Sequence, residues 1–177
     1  MSIILAKANK ADCTWDMDLQ TMAEAHSKSL LRYCSAILRD YHEAQDVVQS
    51  TFLKALSKRN TIKGDLAPWL YRTAYNNCID LLRRRKWQRF FMEEHDSAAI
   101  YHMEDCMSEE IKKALGVLTP EDRALVISRA LDDLDYEQLS LIYDANPAAL
   151  RKRYERAKRK LAKALREQGL EVAYGKA

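Results

Sequence analysis

The sequence predicts an all-α protein made of two small helical domains. Leu, Ala, Lys, Arg and Glu are abundant, whereas the 177 residues include only 4 Gly and 3 Pro. Strong helix formers therefore prevail, and alternating runs of Val, Ile and Thr that would indicate strands are missing. A chain of this length can bury one ordinary core or two modest ones. The charge pattern favours two, since net charge is +6 over residues 1–92, −5 over 93–118 and +2 over 119–177.

Apolar residues at helical spacing predict the first two helices of the N-terminal domain. The first helix extends from Leu19 to Arg39 and stops where Asp40-Tyr41-His42 interrupts its apolar stripe. A second apolar stripe extends from Ala44 to Leu56. The polar and basic segment from Ser57 to Asp65 is typical of a loop, with Gly64 as a flexible turn position.

A third helix is predicted to start around Asp65, with Pro68 tolerated in its first turn. Its apolar positions continue to Leu82, and it ends in a cationic run around Trp87. Such a density of like charge repels itself unless a polyanion or counterions are present. A second basic stripe follows in the C-terminal part, so contact with a polyanion at two places and ordinary solvated helix faces are both open interpretations.

The acidic stretch from Glu93 to Glu110 has weak periodicity and is interpreted as a linker with a possible short helix. We therefore place an N-terminal domain at residues 17–92, a linker at 93–111 and a C-terminal domain at 112–170.

Two capping residues followed by proline mark helix starts in the C-terminal domain. Thr119-Pro120 begins a helix in which Leu125, Val126 and Leu131 are expected to face inward. A short helix begins at Asp135, with Gln138 at the reciprocal capping position.

The turn Asp144-Ala145-Asn146 separates this short helix from a longer one. The second capping residue and its proline, Asn146-Pro147, open this longer helix. A short helix, a three-residue turn and a basic helix are typical of a helix-turn-helix. Its second helix could enter the major groove, where Arg151 or Lys152 could meet a guanine edge. A plain helical hairpin with a basic surface shares the same periodicity.

Several classes of function find no support in the sequence. Cys13, Cys34, Cys78 and Cys106 lack paired spacing, so neither a disulfide framework nor a metal site is indicated, and His102 with Cys106 makes at most half a site. No phosphate-cradling glycine loop or catalytic motif occurs, so we expect no enzyme activity and no cofactor. No segment has the apolar length of a signal-peptide core or a membrane span, so we expect a cytoplasmic protein without membrane insertion.

Two blocks of sequence, in order, resemble extracytoplasmic-function sigma factors of the sigma-70 family. Residues 44–56 and 68–85, which include the block Trp69-Leu70-Tyr71-Arg72, are similar to region two, and residues 118–161 are similar to region four. The resemblance implies a region-two helical bundle, a region-four helix-turn-helix, and a role in promoter-specific initiation. It also implies bacterial core RNA polymerase, promoter DNA and an anti-sigma factor as partners.

The resemblance implies three sets of site residues. The largest polymerase subunit would be bound by Asp46, Gln49 and Leu53. The opened minus-ten element would be read and held by Lys58, Arg59, Asn60, Lys63, Arg72, Tyr75, Asn76, Arg83, Arg84, Arg85 and Lys86. The minus-thirty-five element would be read by Asn146, Ala148, Ala149, Arg151, Lys152, Arg153 and Arg156. For Trp69, in step with Leu70 and Ala74, we expect a place in the core rather than a base-stacking role.

The sequence departs from the pattern of the family at four positions. Gln45 stands where glutamate is common and Ser50 where an acid is usual. We therefore expect these two positions to adjust the affinity for core polymerase. In the turn, Asp144 replaces a glycine and can accept a left-handed conformation at more strain. Ala149 replaces a threonine near the start of the recognition helix, which puts minus-thirty-five readout in question.

Two alternative functions remain open at this point. The first is an ordinary transcription regulator with a LuxR-like helix-turn-helix, although such a protein would carry a receiver or ligand-binding domain in place of residues 44–85. The second is an inactive sigma homologue that binds polymerase without initiating transcription.

Overall fold

The computed structural model describes residues 19–92 and 109–169, and 82% of these residues are helical, without strands. The seven helices within those ranges, in chain order, are α1 Leu19–Leu38, α2 Tyr41–Ser57, α3 Leu66–Met92, α4 Glu109–Leu115, α5 Pro120–Ala130, α6 Tyr136–Tyr143 and α7 Pro147–Glu167. The all-α prediction is confirmed. Most of the predicted linker, residues 93–108, and the residues His102, Cys106 and Cys13 lie outside the described residues.

Four helices begin at side-chain caps, and the three predicted from the sequence are confirmed. The side chain of Thr119 accepts a hydrogen bond from the backbone of Asp122 at 3.2 Å. Asp135 and Gln138 form the predicted capping box, with reciprocal distances of 2.7 and 3.0 Å. The fourth cap, Asp40 at the start of α2, accepts from the backbone of Glu43 at 2.9 Å. Each cap satisfies an amide that the first helical turn leaves unpaired.

Helix α3 continues through the cationic run to Met92 instead of ending in it, and acidic neighbours compensate two of its arginines. Arg83 pairs with Asp80 one turn earlier at 3.1 Å. Arg85 donates from Nε to Glu43 Oε1 at 3.1 Å and pairs with Asp40 at 3.8 Å. The acids at the start of α2 therefore hold α3 against it and reduce the self-repulsion of the run.

Helices α1, α2 and α3 share a core in which Leu30, Ile37 and Leu70 are fully buried. Cys34 of α1 and Cys78 of α3 are fully buried in the same core as free thiols. Burial and, next, the neighbouring Cys78 thiol raise the pKa of Cys34 well above its ordinary value. The fold thus brings together two cysteines that sequence spacing left apart.

Helices α4 to α7 form the second group, around Leu125, Leu139 and Ile142. The α6–turn–α7 unit has the predicted helix-turn-helix arrangement, and Asp144 adopts φ 51° and ψ 49° as expected for a left-handed turn residue. The inward placement of Leu131 was wrong: it is 48% exposed, because α5 ends at Ala130 and Leu131 occupies the cap position beyond its apolar face.

The two groups pack directly against each other. Helix α1 lies against α5, and α3 lies against α6. The buried apolar residues of both groups form one continuous cluster, and Trp69 packs at its partly buried margin as predicted. This packing decides which of the predicted site residues reach the surface.

Candidate nucleic-acid interface

Helix α2 exposes the predicted polymerase-docking residues on one face. Asp46, Gln49 and Leu53 follow steps of three and four, and all three are exposed. Leu53 is 55% exposed although it is a large apolar residue. Its neighbours Val47 and Phe52 are buried in the core, so the backbone that carries this face is fixed. An exposed leucine beside two hydrogen-bonding side chains suits a protein partner.

The loop between α2 and α3 presents the four polar residues that the minus-ten prediction named first, Lys58, Arg59, Asn60 and Lys63, and all of them are exposed. The carbonyl of Lys58 accepts from the backbone amides of Thr61 and Ile62 at 2.8 and 3.2 Å. The side chain of Ile62 is buried, and Gly64 adopts φ 84°. An anchored loop with a left-handed glycine keeps these polar groups turned to solvent.

Two of the three residues predicted on the face of α3 contact the second helical group instead of solvent alone. Arg72 donates from Nη1 to the backbone carbonyl of Leu141 at 3.0 Å. The ring of Tyr75 meets that of Tyr143 edge to face, with centroids 4.9 Å apart and planes at 88°. Burial raises the pKa of Tyr75. Asn76 remains exposed.

The basic run of α3 divides into exposed and bound residues. Arg83, Arg84 and Lys86 are exposed. Arg85 is only partly exposed, and it holds α2 through Glu43 and Asp40 and reaches the carbonyl of Leu38 at 3.5 Å. In this conformation Arg85 joins helices and Arg83 pairs with Asp80 at the surface, whereas Arg84 and Lys86 are exposed and accessible to an anion.

The predicted minus-thirty-five residues divide in the same way. Ala148, Ala149, Lys152 and Arg156 are exposed on α7. Asn146 uses its side-chain oxygen to cap α7, accepting from the amide of Ala148 at 2.8 Å. Arg153 donates to Asp122 of α5 at 2.6 Å, and the guanidinium of Arg151 lies 5.1 Å from the ring centroid of Tyr136.

A polar seam joins the two helical groups, and sequence analysis did not find it. Arg32 of α1 forms an ion pair with Asp132 in the α5–α6 connection. The hydroxyl of Tyr143 lies 3.0 Å from that of Tyr33 and 3.0 Å from that of Ser128. Burial raises the pKa of Asp132, and Arg32 and Tyr71 partly offset the effect.

The seam is well buried but incompletely satisfied. The side chain of Asp132 is only 4% exposed. Among the described residues, Arg32 Nε and Asp132 Oδ2 are buried without a hydrogen-bond partner. Unpaired buried polar atoms cost free energy, so these polar contacts stabilise the packing of the two groups less than fully paired ones would. No periodic or motif signal marks these residues in the sequence.

Within residues 19–92 and 109–169, no helix is long and apolar enough to cross a membrane, and no group of metal-ligating side chains is found.

Comparisons with known proteins match both helical groups. Residues 22–88 match sigma-70 region 2, and residues 108–161 match sigma-70, region 4. The RNA polymerase sigma-H factor of Pseudomonas aeruginosa is 30% identical over 146 residues, which cover 72% of this chain and 76% of that protein. ECF sigma factor SigE of Mycolicibacterium smegmatis is 26% identical over 171 residues, covering 90% of this chain and 65% of that protein.

Two solved structures share the fold. The sigma factor RpoE, in complex with the anti-sigma factor NepR from Bartonella quintana, matches with a TM-score of 0.74 and 22% identity, covering 84% of this chain and 97% of that one. CnrH, in complex with the cytosolic domain of CnrY, matches with a TM-score of 0.65 and 20% identity, covering 84% and 88%.

Proposed function

Because the chain belongs to the sigma-70 family of RNA polymerase sigma factors, we propose that it binds core polymerase and directs initiation by reading the minus-ten and minus-thirty-five elements. The observation that carries the proposal is the pairing, in one chain, of the exposed α2 face and α2–α3 loop with a correctly capped helix-turn-helix. A LuxR-like regulator would have only the second of these. Polymerase performs the chemistry, and this protein supplies no catalytic group.

Core polymerase docks on α2 in this proposal. Asp46 and Gln49 offer hydrogen-bonding groups that set the register against a partner helix, and Leu53 supplies the apolar contact. Two features support the assignment: all three residues are exposed on one helix face, and the core beneath them is firmly packed. The acid-to-polar departures at Gln45 and Ser50 leave a less negative α2 than the family pattern has.

The opened minus-ten strand is bound by the α2–α3 loop and the outer side of α3. Asn60 and Asn76 hydrogen-bond base edges, and Tyr75 stacks on a base. Phosphates are held by exposed basic residues, namely Lys58, Arg59, Lys63, Arg83, Arg84 and Lys86. Arg85 contributes from a position that also joins α2 to α3.

Reading the minus-ten element requires a rearrangement, since Arg72 and Tyr75 contact α6. We place the DNA-binding state in a form in which the two helical groups have separated along the polar seam. Separation also lets the two groups reach two promoter elements, with an effective concentration set by the segment that connects them. In this separated form the N-terminal domain comprises residues 17–92, the linker residues 93–111 and the C-terminal domain residues 112–170.

The minus-thirty-five duplex receives the start of α7 in its major groove. Ala148 and Ala149 allow close approach, Arg151 and Lys152 reach base edges, and Arg156 meets phosphate. Asn146 presents the helix N-terminus to a phosphate. Arg153 acts indirectly, because its ion pair with Asp122 fixes α7 against α5.

An anti-sigma protein is the proposed regulator. RpoE and CnrH, which share this fold, were solved with NepR, an anti-sigma factor, and with CnrY. By analogy, a partner of this chain would bind where it keeps the polymerase and promoter surfaces covered. The chain would act in the cytoplasm, with polymerase.

A runoff transcription assay tests the proposal. The protein is added to sigma-free bacterial core polymerase on a pool of promoter fragments from its own genome. Specific transcripts that share two aligned elements support the proposal. Binding to core without transcripts favours an inactive homologue, and failure to bind core overturns the proposal.

A further inference from the structure

The aromatic ring of Tyr136, the first residue of α6, contacts two guanidinium groups. The Cζ atom of Arg151 lies over the ring at 5.1 Å from the centroid, and that of Arg129 at 5.5 Å. Arg129 also reaches Asp133 at 3.4 Å. Tyr136 is half-buried and packs against the core margin, so its ring is a fixed surface rather than a mobile one.

The two arginines belong to different helices. Arg129 is on α5, whereas Arg151 is in the second turn of α7, where its side chain is exposed. A long arginine side chain normally samples many rotamers, and stacking on an aromatic face restricts them. The position of Tyr136 is itself fixed by the capping box at Asp135. The ring of Tyr136 therefore restricts the orientation of one basic side chain, Arg151, on the recognition helix.

We infer that Tyr136 is a positioning residue that orients the Arg151 guanidinium for a bidentate contact with a guanine edge, and so sets base preference at one position of the minus-thirty-five element. This inference rests on the proposed function. A planar guanidinium accepts only a narrow range of angles when it makes two hydrogen bonds to one base. Phosphate contacts tolerate far more variation, so the ring governs discrimination more than overall affinity.

Neighbouring basic residues provide the contrast. Lys152 and Arg156 are exposed on α7. Lys152 reaches a base edge only as a flexible point charge, and Arg156 acts on phosphate. Tyr136 also has a packing role, since its side chain is partly buried against the hydrophobic core. A test must therefore separate loss of the ring from loss of packing. Tyr136→Leu removes the ring and keeps an apolar side chain, and Tyr136→Phe, which keeps the ring and removes only the hydroxyl, is its control.

The experiment selects bound promoters from a library randomised across the minus-thirty-five element, using full-length protein assembled with core polymerase. Wild type is compared with Y136F, Y136L, R151A and K152A, after circular dichroism and thermal melting establish that each is folded. We expect R151A to abolish the base preference at one position, and Y136L to lower it about threefold to tenfold at that same position. Y136F should retain it, and K152A should leave that position unchanged.

A double variant completes the test. Adding Y136L to R151A should produce no further change in base preference, because the ring acts through that arginine. An additive effect, or a Y136L variant that weakens all sequences equally, would overturn the inference while leaving the proposed function intact. If wild type selects no minus-thirty-five sequence, the proposed readout fails, and the role of Tyr136 fails with it.

Discussion

Arg32 of α1 and Asp132 of the α5–α6 connection form an ion pair across 100 positions of sequence and so join the two helical groups. The guanidinium also reaches the backbone carbonyl of Leu131 at 3.5 Å. The same packing places Arg72 and Tyr75 against α6. The stability of this one polar contact therefore bears directly on access to the proposed minus-ten surface.

Arg32→Ala should increase binding of the free chain to single-stranded minus-ten DNA by about threefold to tenfold. The substitution removes the ion pair between the groups and so raises the fraction of molecules whose minus-ten surface is uncovered, and that fraction sets the apparent affinity. The variant loses a positive charge, so electrostatic attraction to DNA alone predicts weaker binding. Fluorescence anisotropy with an oligonucleotide identified by transcription measures the effect. Lys28→Ala, an exposed change one turn earlier on α1, is the charge-matched control. Weaker binding for both variants would contradict the occlusion of this surface.

The raised pKa of Asp132 predicts a pH dependence of the packing between the groups. The packed state binds the proton more tightly than the separated state does, so packing loses stability as pH rises from the ordinary value of 3.8 through the raised pKa. Asp132→Asn removes this component. Small-angle scattering across that window should show wild type separating relative to the variant as pH rises. Asp133→Asn, at a 97% exposed side chain, is the control and should follow wild type.

Tyr143→Phe and Tyr33→Phe should each destabilise the packed chain by about 1 kcal/mol, since each leaves a buried hydroxyl without one partner. Urea unfolding of the two single variants and the double variant gives their coupling energy. A coupling near 1 kcal/mol is expected from the 3.0 Å contact between the hydroxyls. Additive effects would mean that the two tyrosines stabilise the fold independently.

Substitutions of Asp144 separate backbone strain from charge. Its φ of 51° costs an L residue about 1–2 kcal/mol, while glycine adds about 0.5–1 kcal/mol of chain entropy loss. Asp144→Gly should therefore stabilise the protein by about 0.5 kcal/mol. Asp144→Asn should leave stability nearly unchanged, because asparagine tolerates this conformation. Thermal melting measures both.

Both Asp144 variants should bind minus-thirty-five duplex about twofold to threefold more tightly at low salt, because each removes a negative charge beside the DNA. Equal affinity for wild type and Asp144→Asn would show that this carboxylate lies too far from phosphate to matter.

The paired change of Asp46 and Gln49 to alanine should weaken binding to core polymerase at least tenfold while the fold is retained, as expected for central interface residues. Surface binding measurements with immobilised core give the affinity. Gln20 and Glu24, a hydrogen-bonded pair on the exposed side of α1, provide a matched double-alanine control. Equal affinities for the two double variants would rule out the docking face.

Local features were predictable from the sequence, and distant contacts were not. The caps at Thr119 and Asp135, and the turn at Asp144, depend on residues within three or four positions, so their signals survive without tertiary information. The apolar pattern predicts an inward side chain for Leu131, but the helix ends before this residue. Periodicity cannot locate that end to within a residue.

The extent of α3 and the polar seam required the fold itself. The helix is predicted to end in a run of four consecutive basic residues. Its continuation is accompanied by ion pairs with Asp80 one turn earlier and with the acids at the start of α2, about 40 positions away. Arg32, Tyr33 and Tyr143 appeared as ordinary helix residues. Their roles depend on which side of α1 faces α5 and α6, which no local pattern encodes.

The bond from Arg72 ends on the main-chain oxygen of Leu141, whose side chain is 58% exposed. A contact of this kind imposes no requirement on the identity of residue 141, since every amino acid supplies the same carbonyl. The outer surface of α6 is consequently free to diverge during evolution, and to acquire new partners, without breaking the attachment to α3. Conversely, selection on this hydrogen bond falls on Arg72, a residue that would also be retained for DNA binding.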